Sequence, residues 1–391
     1  MKTIITSESV NIGHPDKTCD VIADAFLDAA IKKDPNARMA VECAIKDNYL
    51  FIYGEATTTA KVDYKKIARE VLRDIGYGCK FKIIEKISRQ SPEINKAVVR
   101  DELTAGDIRA SAFHIKDNLL EASPLAAGDQ GIVYGYATNE TPEFMPMSIL
   151  MAHKIMRRFQ KWRESTPAGD KFHADAKSQV SIEYDNNKPI AIHTILVSVS
   201  HSECLSNQEI CEAIKKHVVD VVLADSAFAK LETKNLKLII NPSGAFTIWG
   251  SHSDSGCVGR KIVVDTYGGV GRVGGGCFSS KDPTKVDRSG AYYARWVAKN
   301  IVANKMADKV EVSASYAIGL SDPIKVNIEC FGSGRRPQAE IEKYVYENFD
   351  FRPANIIKEL DLLRPIYKDT ACYGHFGRDG FPWESIFIKS K

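Results

Sequence analysis

Long apolar runs are missing from this 391-residue chain. No stretch approaches the roughly 18 residues that a membrane-spanning helix needs. The opening residues, Met1 and Lys2 followed by ITSESVNIGHPDK, contain no hydrophobic segment of the secretory kind, so a cytoplasmic protein is expected. Charge of one sign is scarce as well: 53 Lys and Arg face 50 Asp and Glu, which excludes a basic stripe for nucleic acid and a polyacidic tail. The nine cysteines are odd in number and none lies in a C-x-x-C pair, so neither a disulfide framework nor a zinc site is indicated. They read as reduced thiols. Also absent are G-x-x-x-x-G-K-[ST], G-x-S-x-G, H-E-x-x-H and the kinase signatures. One dinucleotide-like match exists, Gly269-Val270-Gly271-Arg272-Val273-Gly274. A dinucleotide fold needs a helix to open on that match and an acid about twenty residues further on. Gly275, Gly276 and Pro283 follow instead.

What is present is an ordinary globular composition at a length that implies two or three domains. A helical period runs from Asp16 to Ala30, with Val21, Ile22, Ala25, Phe26, Ala29 and Ala30 on one face. Two strands follow, ARMAVECAIKD and NYLFIYGEATT, around a hairpin at Lys46–Asn48; an amphipathic helix capped by Gly76 comes next. The order recurs with helix MSILMAHKIMRRFQKW, strands AKSQVSIEYD and PIAIHTILVSVS joined at Asn186-Asn187, and helix LSNQEICEAIKKHVVDVVL. It recurs again with helix VDRSGAYYARWVAKNIVAN, strands KVEVSASYAIG and PIKVNIECFG, and helix AEIEKYVYENF. Helix, strand, hairpin, strand, helix, three times at about 130–150 residues each, is a repeat at domain scale. The expected fold is α+β: three similar subdomains (1–105, 106–243 and 244–391), each a mixed or antiparallel sheet with helices on one face, in pseudo-threefold relation. Apolar sheet faces left exposed in this arrangement favour a subunit interface. Between Gly76 and Gly131 the periodicity weakens, as in a lid or active-site loop.

The densest chemistry lies from Gly244 to Ser289. Glycines, four cations on short loops (Arg260, Lys261, Lys281, Lys285) and three aspartates (Asp254, Asp282, Asp287) suit a phosphate bound through a metal ion, although a solvated loop has the same composition. KIVVDTY reads as a strand, and a helix is expected to start near Asp287. Gly13-His14-Pro15-Asp16-Lys17 precedes the first helix. Pro15 and Asp16 suit a helix start on structural grounds alone; His14 and Lys17 beside them make a natural place for phosphate oxygens and a metal. Ala127-Gly128-Asp129-Gln130-Gly131 reads as a turn. Lys177, in Asp175-Ala176-Lys177-Ser178-Gln179, is a strand-mouth lysine that matters only if other cations converge on it.

Taken in order, GHPDK (13–17), GDQG (128–131), DAKSQV (175–180), GRKIVVDTYGG (259–269), KDP (281–283) and KVDRS (285–289) resemble the S-adenosylmethionine synthetase family. TSES (6–9), RQSPEIN (89–95), YATNET (136–141), YAIG (316–319), LRPIY (363–367) and YGHFGR (373–378) extend the resemblance over essentially the whole chain. It implies three α+β subdomains and a methionine adenosyltransferase. That enzyme joins ATP to L-methionine and then hydrolyses the bound tripolyphosphate to phosphate and diphosphate. It further implies two Mg²⁺ ions per site and K⁺, and a homodimer or homotetramer with active sites shared between subunits; no nucleic acid or membrane partner is expected. A thioether sulfur carries no proton, so its attack on C5′ of ATP needs no general base, whereas the leaving tripolyphosphate needs cations aimed at it beforehand. The missing catalytic triads are then expected.

By the same resemblance, His14 sits by O5′ and the phosphates, Asp16 and Asp287 hold Mg²⁺, and Glu42 holds K⁺. Lys177, Arg260, Lys261 and Lys281 join His14 in the catalytic set and grip the phosphates, as does Lys285, which also lies near methionine. Asp129, Asp175, Phe246, Asp254 and Cys277 belong to the ATP site. Glu55, Gln90 and Asp254 orient the charged ends of methionine, and Ile318 lines its apolar pocket. The sequence departs from the family's pattern at Ala245 (usually Arg), at Ser251-His252-Ser253 (usually containing Pro and Gly), at Val273 (often His) and at Cys277 (usually Ala). None of these removes a phosphate or metal residue; they bear on the nucleoside and methionine pocket. Two other classes compete. A non-catalytic nucleotide-binding subunit would lack some of His14, Asp16, Lys177, Lys261, Lys281 and Asp287, and all six are present. A plain triphosphatase would release phosphate without methionine.

Overall fold

The computed structural model describes residues 2–78, 80–90 and 125–387, so most of the expected lid segment lies outside the described residues. Along the chain, β1 (Lys2–Val10) leads to α1 (Pro15–Ile31), the hairpin β2 (Arg38–Lys46) and β3 (Tyr49–Thr57), α2 (Tyr64–Ile75) and β4 (Lys82–Ser88). Next come β5 (Gly131–Thr138), α3 (Met147–Ser165), the hairpin β6 (Phe172–Asp185) and β7 (Lys188–His201), α4 (Asn207–Ile214) and β8 (Lys237–Ile240). The last third holds β9 (Gly256–Cys257), α5 (Val286–Ala303), β10 (Lys309–Tyr316), β11 (Lys325–Glu329) and α6 (Gln338–Asn348). All three repeats of helix, hairpin and helix are present, and the fold is α+β with three sheets.

Local chemistry accounts for the boundaries. Pro15 opens α1, with the His14 ring accepting the Asp16 N–H. Asp63 caps α2, and Gly76 ends it at φ +112°, which glycine adopts without strain. Asn186 and Asn187 have φ of 48° and 62°, matching the twist that a two-residue hairpin requires. Expectation fails at KIVVDTY, which is no strand: Ile262–Asp265 form one helical turn. A short apolar run carries no period to separate the two states, and burial of Val264 and Tyr267 satisfies it without a sheet. Strands β1, β4 and β5 were not anticipated either, since Thr, Ser, Glu and Gly interrupt their alternation. The glycine match at 269–274 opens no helix; Arg272 ties it to Glu311 of β10 through the backbone N–H and the guanidinium, both at 2.8 Å.

The sheets are not confined to single repeats. Their orders are β4-β3-β2-β9, β1-β6-β7-β8 and β11-β10-β5. In each, the first hairpin strand pairs antiparallel with a strand that precedes the helix of another repeat: β1 on β6, β5 on β10, β9 on β2. The first repeat lends a strand to the second, the second to the third and the third to the first. This closed exchange is the threefold element of the fold. At its centre α1 is buried on all sides except at Asp28 and Ala29, and α5 is nearly as enclosed. Arg288 of α5 makes a two-pronged ion pair with Asp24 of α1 at 2.7 and 2.8 Å, with both side chains out of solvent. Replacing Arg288 with Met leaves that carboxylate buried without its cation and is expected to cost about 3–5 kcal/mol. Urea denaturation checks it, and a loss under about 1 kcal/mol would contradict the account.

Candidate functional site

The first repeat delivers His14 along a strand. β1 pairs with β6 up to Val10 opposite Lys177, and the chain continues beside β6 through Asn11 N–H to the Ala176 carbonyl (2.9 Å) and Gly13 N–H to the Ala174 carbonyl (3.1 Å). Any Cβ on Gly13 would overlap that Ala174 carbonyl. His14 therefore arrives next to Asp175 and Lys177, at the N-terminus of α1. The Asp16 carboxylate accepts the Cys257 N–H (3.0 Å) and the Lys261 ammonium (2.6 Å), with the Arg260 guanidinium 3.5 Å away. Asp175 is buried; one oxygen accepts the Gly250 N–H at 2.9 Å, and the other has no partner. Phe246, half-buried, is held at the end of β7 by two hydrogen bonds with His201. Asp254 is exposed.

Burial, followed by the charges of Lys261 and Lys177, pushes the His14 pKa down to about 3. The ring is neutral, and because Nδ1 accepts the Asp16 N–H at 3.2 Å the proton resides on Nε2. Burial raises the Asp175 carboxyl to about 6, against the Gly250 N–H and Lys177, with Asp254 adding to the rise. Burial also opposes ionisation of Asp16, but the Lys261 ammonium and the Cys257 N–H outweigh it and hold Asp16 below the usual carboxylate range.

A second group forms where β5 begins and β10 ends. Ala127 exchanges backbone hydrogen bonds with Gly319 and Leu320, which sets Asp129 near Ile318. Asp287, in the first turn of α5, faces Gly275 and Gly276 and is paired with Lys281. Lys285 pairs with Asp282 at 2.5 Å, and Asp282 is itself anchored by the Met39 N–H at 2.8 Å. Ala40 of β2 is bridged by Lys281 on one side and faces Glu55 of β3 on the other. Glu42 lies two residues along the same strand and accepts the Tyr53 hydroxyl at 3.3 Å. Gln90 follows β4, whose Ser88 is aligned with Glu55. Cys277 packs on Gly259, and burial raises its thiol to about 11. The expected residues thus fall into two groups: His14, Asp16, Asp175, Lys177, Phe246, Asp254, Arg260 and Lys261 in one, and Glu42, Glu55, Gln90, Asp129, Lys281, Lys285, Asp287 and Ile318 in the other, with Cys277 packed on Gly259 beside the first. Among the described residues no hydrogen bond or ion pair joins a member of one group to a member of the other.

Two structural roles escaped the sequence reading. Aspartates 16, 20, 24 and 28 of α1 each accept backbone N–H groups from the distant C-terminal third: Cys257, Gly259 (2.9 Å), Ser280 (3.1 Å), and Tyr367 with Lys368 (2.9 and 2.8 Å). Their four-residue spacing inside a mostly apolar helix was the available signal. The other is Ser251, fully buried. Its hydroxyl donates to the Asp47 carbonyl (2.6 Å) and its N–H to the Tyr77 hydroxyl (3.1 Å), so this departure locks the Gly250 loop onto the β2–β3 turn.

Fold and geometry together define a class: three exchanged sheets whose loops present cations and carboxylates in the combination that a polyphosphate and its metal ions require. Three family models match consecutively, described as the N-terminal (2–97), central (124–246) and C-terminal (248–385) domains of S-adenosylmethionine synthetase. The chain is 45% identical to the S-adenosylmethionine synthase of Corynebacterium urealyticum, over 98% of this chain and 96% of that protein. It is 46% identical to the S-adenosylmethionine synthases of Petrotoga mobilis (98% and 96% covered) and Clostridium botulinum (99% and 97%). The chain belongs to the S-adenosylmethionine synthetase family. It is an enzyme of the methionine adenosyltransferase type, forming S-adenosylmethionine from ATP and methionine.

Asp175 gives a test of the electrostatics. Its native pKa of about 6 exceeds the ordinary 3.8, so the native state binds more protons than the unfolded chain between those values. Ionised Asp175 therefore costs stability above pH 6, and the cost fades as pH falls toward 4. Asp175→Asn is expected to stabilise the ligand-free protein at pH 7 by on the order of 1–3 kcal/mol and hardly at all at pH 4. Thermal denaturation at the two pH values checks this; equal effects would contradict it.

Proposed function

We propose that the enzyme works by direct displacement. The methionine sulfur attacks C5′ of ATP, the S–C5′ bond forms as C5′–O5′ breaks, and the tripolyphosphate is then hydrolysed in place to phosphate and diphosphate. The observation that carries this reading is the neutral, Nε2-protonated His14 held beside Lys177 and Lys261. Such a ring donates a hydrogen bond to O5′ as that oxygen gathers charge, and the lysines with Arg260 take up the charge of the departing chain. In this reading Lys281 and Lys285 grip the phosphates from the second group, and Glu55, Gln90, Asp129 and Ile318 orient methionine and the nucleoside.

The donor set also fits Mg²⁺. Among the described residues no three His, Cys, Asp or Glu side chains gather as a metal cage. Mg²⁺ commonly binds one or two carboxylates and completes its shell with phosphate oxygens and water. Asp16 and Asp287 supply such carboxylates, and the unpartnered buried oxygen of Asp175 points to a missing cationic or donor partner nearby. When bound, Mg²⁺ neutralises phosphate charge. Glu42, half-buried beside the Tyr53 hydroxyl, is the candidate for K⁺.

Because the two groups are not joined, we read them as half-sites completed by another subunit in a homodimer or homotetramer. Each sheet supports this by exposing large apolar side chains: Ile4 and Ile239 on one, Phe51 and Ile84 on the second, Ile132 on the third. No described helix is long and apolar enough to cross a membrane. The eight described cysteines are all unpaired, which suits the reducing cytoplasm. The division at residues 105 and 243 stays part of the same proposal.

Incubated with ATP, Mg²⁺ and K⁺, the enzyme should form S-adenosylmethionine only when methionine is added; methionine-independent phosphate release without sulfonium would overturn the reading. His14→Asn should lower turnover by about 10²–10³-fold while ATP still binds, and unchanged turnover would remove His14 from its role. Chains carrying His14→Asn and chains carrying Lys281→Met, each inactive alone, should regain activity when co-assembled, because one site per hybrid keeps both intact halves. Failure of hybrids to recover would place both groups of a site in one chain.

A further inference from the structure

Arg260 and Lys261 are exposed or half-exposed and have one carboxylate partner, Asp16, yet they must be aimed before the phosphates arrive. What fixes their backbone lies below them in α1. Gly259, at φ +77°, turns the chain just before Arg260, and its N–H is held by the buried carboxylate of Asp20 at 2.9 Å. Beyond Lys261, the buried Lys17 ammonium pairs with the Asp265 carboxylate and, at 2.8 Å, with Asp20. The Asp265 N–H in turn donates to the Lys261 carbonyl at 2.9 Å, so the hold on Asp265 passes through a single helical turn to Lys261 itself. Lys17, Asp20 and Asp265 are all enclosed, between 0 and 3% exposed. A purely structural core could fill this place with apolar groups at no loss of stability. The charges here clamp both ends of a seven-residue loop, 259–265, that carries one exposed cation, Arg260, and one partly buried cation, Lys261.

We propose that Lys17 and Asp20 are positioning residues: they hold the Gly259–Asp265 loop so that Arg260 and Lys261 meet the tripolyphosphate of the displacement step. The inference rests on the function proposed above. Neither residue touches the phosphates; each acts through the loop.

The test uses the full chain, with turnover counted per folded protein and inorganic tripolyphosphate as the binding probe. Asp20→Ala removes the acceptor for the Gly259 N–H and should lower kcat by about 100-fold, the scale set by a 1 Å displacement of catalytic groups. Asp20→Asn keeps an acceptor oxygen and should recover most of that loss. Lys17→Met should behave like Asp20→Ala, and Asp265→Asn, which leaves the Lys17–Asp20 pair intact, serves if Lys17→Met does not fold. In the impaired variants tripolyphosphate affinity, read by calorimetry, should fall by at least about 10-fold while KM for methionine changes less than about 2-fold. Unchanged tripolyphosphate affinity and unchanged kcat per folded protein, with only a lower melting temperature, would overturn the proposal. If the wild-type chain forms no sulfonium but the variants still lose tripolyphosphate binding, the function fails and the clamp stands. If the wild type is active and the variants bind tripolyphosphate normally, the clamp fails and the function stands.

Discussion

Four carboxylates spaced one helical turn apart hold distant parts of this molecule together. The i to i+4 spacing places Asp16, Asp20, Asp24 and Asp28 on one stripe of α1. Three of the four are almost completely buried, and an unpaired buried carboxylate is too costly to persist. Each is satisfied by backbone N–H groups from residues 257, 259, 280 and 367–368, and the charge is balanced by Lys261, Lys17 and Arg288. The first helix is therefore stable only when the last third of the chain has docked on it. The loops that carry Arg260, Lys261 and Lys281 are positioned by that docking, because residues 257–261 and 280–281 are the docked segments.

Strand exchange imposes the same dependence from the outside. Since β1, β5 and β9 each complete a sheet belonging to another repeat, no repeat can finish its sheet alone. The site inherits this arrangement. His14 reaches Asp175 and Lys177 because β1 runs along β6, and Lys281 reaches Ala40 because the third repeat closes back onto the first. Electrostatics follows from enclosure: burial among lysines keeps His14 neutral, and a neutral ring with its proton on Nε2 is a hydrogen-bond donor at any physiological pH. The Ser251 lock has a similar origin, tying the loop that carries Gly250 and Asp254 to the β2–β3 turn while Gly250 itself holds Asp175.

Much of this was legible beforehand, and for identifiable reasons. The helices with their caps and the hairpins at 46–48 and 186–187 carry strong period and turn chemistry, so their order and the threefold repeat could be read directly. KIVVDTY could not, because so short a stretch has no period of its own, and its one-turn helix ends at Asp265, which is paired with buried Lys17. β1 was hidden by its hydroxyls, three of which serve as hydrogen-bond partners (Thr6 with Ser181, Ser7 with Ser148, Ser9 with His153) where an apolar pattern was sought. The aspartate stripe was visible as a spacing but lacked meaning until its partners were known. Candidate site residues came from motif resemblance, which also implied sites shared between subunits; which candidates lie together within one chain was not implied by any motif.

By itself the sequence determined the three-repeat plan, the family, the inventory of cations and carboxylates, and where helices start, since each depends on local periodicity, caps or motif identity. Only the tertiary structure decided which strand completes which sheet, which charges are paired, that His14 carries its proton on Nε2, and that Lys17 and Asp20 hold the Gly259–Asp265 loop. The strand exchange and the loop clamp depend on contacts between residues more than 160 positions apart, and all of these features depend on burial, which sets the cost of leaving any of those groups unpaired.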